Sequence, residues 1–104
     1  MIKARFYRKE GTLVGFSVSG HAGYADSGSD IVCAAVSTAV NMTANGITEI
    51  ARQRAAVNVK ENEVQFKVEE SSPESALLLQ SFRLQMEVLT EQFPKNIRIY
   101  DMEV

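Results

Sequence analysis

Apolar residues in this chain repeat with period two in several short stretches and with helical period in two long ones, which limits the fold more than any other feature. Over residues 2 to 8, Ile2, Ala4 and Phe6 alternate with Lys3, Arg5 and Tyr7; over 13 to 19, Val14, Phe16 and Val18 share one face. With Lys9-Glu10-Gly11 between them, these stretches predict a β-hairpin with one face buried. From Ile31 the apolar positions Val32, Val36, Val40, Thr43, Ile47 and Ile50 stand three or four apart. Ser29 or Asp30 is the expected N-cap of that helix, Arg54 lies near its expected end, and Gly46 weakens it within. Ala34, Ala35, Ala39 and Ala44 on its other faces would let a neighbouring backbone approach, as in a central helix.

Val57 and Val59, then Val64, Phe66 and Val68, flank Lys60-Glu61-Asn62-Glu63 and predict a second hairpin. Ser71-Ser72-Pro73-Glu74 reads as a helix start, with proline in the first turn and a capping pair between Ser71 and Glu74. That helix carries Leu78, Phe82, Met86, Leu89 and Phe93, and stops before Pro94 because the residue ahead of proline resists helical geometry. Ile97, Ile99 and Met102 mark a closing strand. The order ββαββαβ predicts an α+β domain, with a mixed or largely antiparallel sheet and two main helices. At 104 residues and 45% hydrophobic content the chain builds one core, so a single domain over 1–104 is expected.

Charge narrows the choice of partners. Eleven basic residues against thirteen acidic give a formal net charge of −2, so no direct nucleic-acid binding and no membrane attraction are expected. No apolar run approaches the ~20 residues that a membrane span requires, and the alternating start is unlike a signal peptide. A cytoplasmic location is the resulting expectation.

The only histidine and the only cysteine, His21 and Cys33, stand twelve positions apart around a polar, glycine-containing stretch. An ordinary free thiol with pKa near 8.5 is only about 3% thiolate at neutral pH, so nucleophilic chemistry needs a nearby base or a favourable field. With Asp30 as N-cap, Cys33 occupies the third helical position. There the free N–H groups of the first turn would favour a thiolate and hold an oxyanion. His21, at the end of the second strand, would act as base and then as acid. Residues 20 to 29 are expected to form a mobile loop, with Gly23, Tyr24 and Gly28 in a lid over the substrate.

Other readings stand beside this one. Cys33 is also what a small buried hydrophobe at a helix start looks like. Asp30, three before Cys33, suits a plain cap as well as an orienting carboxylate; Ser37, four after it, suits packing as well as a supporting role. A metal site from His21, Asp26, Asp30 and Cys33 lacks paired-ligand spacing, and a redox sensor lacks a resolving cysteine. No cofactor or metal is expected. Neither glycine pattern of a phosphate-binding loop occurs.

Gly20-His21-Ala22, followed by Ser29-Asp30-Ile31-Val32-Cys33-Ala34-Ala35-Val36-Ser37, resembles the G-H-A…D-I-V-C-A…S signature of the bacterial ribosomal-processing cysteine proteases, the Prp family. Length and element order agree, so the resemblance covers essentially the whole chain. It implies a homodimeric enzyme with Cys33 as nucleophile and His21 as its partner. The implied reaction removes an N-terminal extension from the precursor of large-subunit ribosomal protein twenty-seven. Asp30 and Ser37 match the family's aspartate and serine. A ribosome-associated binding module of the same fold is the competing reading, although such a module has no need to keep both His21 and Cys33.

Overall fold

The computed structural model describes residues 1–20 and 27–104, with side chains from residue 31 onward in the second stretch. Strands β1 (Ile2–Lys9) and β2 (Thr12–Ser19) form the first hairpin. Helix α1 (Ser27–Asn45) continues into a π-helical turn, Gly46–Ile50, and is followed by the hairpin β3 (Ala55–Lys60) and β4 (Glu63–Val68). Helix α2 (Pro73–Gln92) and strand β5 (Ile97–Glu103) close the chain. The α+β order ββαββαβ is therefore present. The five strands make one mixed sheet, β3-β4-β2-β1-β5, in which only the β1–β5 pair is parallel.

Local chemistry accounts for these elements. Glu10 (φ 52°) and Gly11 (φ 82°) are the two central residues of the first turn, the positive-φ pair whose twist matches a two-residue hairpin. A bulge follows, where the register slips between Tyr7 and Arg8 and leaves Leu13 and Val14 both buried. In α2 the cap is Ser72: it accepts from the Ser75 N–H at 3.1 Å, while the Ser72 N–H donates to Ser75 Oγ at 3.0 Å. The capping pair is thus Ser72 with Ser75, one residue later than the expected Ser71 and Glu74. With Pro73 fixed at N1 or N2, the first helical turn falls where the Ser72 hydroxyl reaches the N3 donor.

Both helices supply one core, on a single face of the sheet. Phe82 of α2 is wedged between Phe6 (centroids 5.4 Å apart) and Phe16 (4.7 Å, edge-on), and Phe16 stacks on Phe66 at 5.3 Å. Each such pair adds about 0.5–1.5 kcal/mol beyond area burial, so α2 supplies the aromatic centre of the core. Val32, Val36, Val40, Thr43 and Ile47 of the predicted α1 stripe are buried, but Ile50 is 83% exposed. The π turn explains the slip. Ala51 N–H bonds to the Gly46 carbonyl at 2.9 Å, and this i→i+5 turn takes one residue more than an α turn, rotating Ile50 off the stripe. By length and mean hydropathy (1.3), Ile31–Ile50 is able to cross a membrane, which a search for unbroken apolar runs misses. In this domain its apolar side is committed to the core.

One ion-pair cluster ties α2 to β5. Arg83 donates from Nε to Asp101 Oδ1 at 2.9 Å and from Nη2 to Oδ2 at 2.5 Å, bonds Glu87, and lies 5.8 Å over the Phe6 ring. The Arg83 hydrogen bond, partly opposed by desolvation, holds the Asp101 carboxyl below its usual range. A carboxyl depressed in the folded state stabilises at pH above its unfolded value, near 3.9, and loses that contribution as pH falls through the folded one. Asp101 is 44% exposed, so solvent screening limits the effect to about 1 kcal/mol or less. Asp101→Asn is expected to lower neutral-pH stability by that much, with the difference from wild type vanishing in strong acid. Urea titrations across pH check this, and a gap that persists in acid would contradict it.

Candidate active site

Gly20 ends β2 in a conformation that only glycine accommodates easily. Its φ is 87°, and an added Cβ would lie 2.3 Å from the Met1 carbonyl oxygen. Its N–H donates to the Asn62 carbonyl at 2.9 Å, which joins the end of β2 to the tip of the second hairpin. That tip and α1 stand apart, leaving a cleft of about 420 Å³. One wall is a line of polar residues spaced by four along α1, Cys33, Ser37 and Asn41, with Val36 and Val40 beneath. The opposite wall is the hairpin over residues 59–64. Ile2, Val18 and Gly20 close the bottom.

Cys33 is the chain's only thiol and is free and half-buried in that wall. It packs against the core edge without being enclosed. Its place in the helix differs from the expectation. α1 starts at Ser27, so Cys33 is the seventh residue, nearly two turns in, and Asp30 is the fourth residue instead of the N-cap. Helical geometry directs the Cys33 N–H to the Ser29 carbonyl, so it is not the free donor that a first-turn placement predicts. The free N–H groups of α1 lie in its first turn, before Asp30. Gly28 is helical too, so the predicted lid loses its last residues to α1.

His21, Gly23 and Tyr24 lie outside the described residues, as does Asp26 of the metal alternative. His21 is joined directly to Gly20, a lining residue of the cleft. Ser37 faces the same cleft as Cys33. Asn41 was missed by sequence reading, although its spacing of four from Ser37 was a usable signal. The hairpin wall had no local signal, because only the long-range pairing of β4 with β2 brings residues 59–64 opposite α1.

β2 is an interior strand, paired with β1 on one side and β4 on the other, so its edges are filled. The free edge nearest the cleft is β3. α1 does not reach over that strand, and on its helix-side face Val57 and Val59 are 55% and 73% exposed.

Comparison with known proteins agrees with this architecture. Residues 1–98 match the family described as cysteine protease Prp. The ribosomal processing cysteine protease Prp of Staphylococcus aureus (strain Mu50) is 29% identical over 93 residues, 86% of this chain and 88% of that protein. The protein of that name from Bacillus subtilis is 25% identical over 107 residues, covering 95% of this chain and 96% of its own. SMU.848 from Streptococcus mutans superposes with a TM-score of 0.88 at 29% identity, over 100% of this chain and 96% of that one. The S. aureus Prp in complex with a covalently linked product peptide gives 0.87 at 25% identity, over 97% and 99%. A family match running almost from end to end, on a fold that opens a cleft at the single thiol, means that this chain belongs to the cysteine protease Prp family and is a cysteine protease.

Proposed function

We propose that the chain is an endopeptidase that removes the N-terminal extension of bacterial large-subunit ribosomal protein twenty-seven, with Cys33 as nucleophile and His21 as general base and then general acid. The observation that carries this reading is the position of Cys33 on the wall of a cleft open to a peptide. The covalently linked product peptide of the S. aureus relative supports a covalent route.

In this reaction His21 takes the Cys33 proton and the sulfur attacks the scissile carbonyl carbon. The tetrahedral intermediate then expels the amine of the mature protein, which receives the proton from His21. The thioester left on Cys33 carries the extension. Water, deprotonated by His21, releases it as a carboxylate and restores the thiol. Val36, Val40, Val59 and Val64 give the extended peptide apolar contacts, and Ser37, one turn beyond Cys33, bonds its backbone. Asp30, on the same helical side as Cys33, orients His21. The enzyme works in the cytoplasm as a homodimer. The exposed α2 stripe of Leu77, Leu84 and Val88 supports an interface there, and a monomer mass in sedimentation would contradict it.

The test is incubation with the precursor ribosomal protein from the same source, followed by mass spectrometry of the new N-terminus. A single new terminus at the start of the mature sequence is expected. Failure to shorten the precursor, with other peptides still cleaved, would overturn the substrate and leave the protease.

A further inference from the structure

The helices occupy one face of the sheet, and no described element covers the other. Strand register reads off what that face presents. One row across the five strands is Lys60, Glu63, Ser19, Lys3 and Arg98; the next is Asn58, Gln65, Ser17, Arg5 and Tyr100; the third is Ala56, Lys67, Gly15, Tyr7 and Met102. Lys9 continues the alternation of Lys3, Arg5 and Tyr7 along β1. Six of the chain's eleven basic residues therefore stand on this face, with one acidic residue, Glu63, in its rows. The net charge of −2 averages over a strongly divided surface.

That distribution works against the fold. Lys3 and Arg98 lie directly across neighbouring strands, where like charges repel. A polyanion laid on the face would relieve this. A second copy of the same face would not, since it would set six positive charges against six.

Between the charges lie groups suited to bases. Tyr100 is 40% exposed with the Arg5 guanidinium 5.6 Å over its ring, and the Tyr7 ring lies along the sheet, tied by a 3.1 Å hydrogen bond between its hydroxyl and the buried Ser17. Beside Tyr7 opens a hollow of about 280 Å³, lined from this face by Ala56, Asn58, Gln65 and Lys67 and reaching Phe16, Val57 and Phe66 of the helix-side rows and Val104. An open sheet with aromatic rings, amide side chains and a basic surround is how folded domains stack unpaired bases, bond their edges and follow the phosphates.

We infer that this open face is a binding surface for single-stranded RNA, meeting the Cys33 cleft only at Lys60 and Glu63 of the second hairpin and independent of the protease's substrate.

The test is fluorescence anisotropy of the full chain with a labelled oligouridine of about twelve nucleotides. The expected dissociation constant is ~10⁻⁴ to 10⁻⁶ M, weakening with salt by a slope of about −0.7 per phosphate contacted. The double variant Lys3→Glu/Arg98→Glu should weaken binding at least ~10-fold, and Arg52→Glu/Lys95→Glu, outside the rows and equal in net charge, less than ~2-fold. Tyr100→Ala should weaken it several-fold without changing the salt slope, as loss of stacking does. Circular dichroism confirms that each variant is folded, and Lys67→Glu replaces any that is not. The inference is overturned if RNA does not bind at low salt, if both double variants weaken it equally, or if polyglutamate competes as well as unlabelled RNA and Tyr100→Ala has no effect.

Discussion

Cys33→Ala is expected to fold as the wild type does and to process the precursor at least ~10⁴-fold more slowly, the scale on which removal of a nucleophile acts. Cys33 is half-buried on a cleft wall, so losing its sulfur opens no enclosed cavity and costs stability about 1 kcal/mol or less. Cys33→Ser should be nearly as inactive, because a hydroxyl ionises far less readily than a thiol in the same surroundings. Turnover measured beside a thermal melt separates the two effects. A stable Cys33→Ala protein that still cleaves would remove Cys33 from the reaction.

His21→Ala should lower turnover by at least ~10²-fold while leaving KM for the precursor nearly unchanged, since a general base acts in the transition state and adds little to ground-state binding. Steady-state kinetics read the split directly. An unchanged kcat with a raised KM would make His21 a binding residue. Added zinc should inhibit by bridging the thiol and imidazole, and chelators should not. Loss of activity in chelator alone would favour the metal reading of the same residues.

What could be read from the sequence follows the range of the forces involved. Both hairpins were legible because a sheet with one buried face writes period two into each strand, and the Glu10-Gly11 turn is local chemistry. The strand order β3-β4-β2-β1-β5 was not legible. It depends on which apolar faces meet across the core, and that pairing makes β2 an interior strand. The cysteine was found by residue type and spacing, but its depth in α1 was misplaced. Ser27, Gly28 and Ser29 form helix weakly, and the start was set after them. Ile50 failed for a different reason, since no propensity scale anticipates that the helix widens to a π turn at Gly46. The basic face was hidden because whole-chain charge carries no information about which residues share a face.

The central claim, that the peptide is cut through a covalent bond to Cys33, is tested most directly by acid-quenching a reaction with the precursor within the first turnover and weighing the intact enzyme. The account predicts a mass increase equal to the removed extension less one water, mapped by digestion to the peptide carrying Cys33 and absent from the Cys33→Ala protein. Steady turnover with no such adduct, or an adduct on another residue, would contradict it.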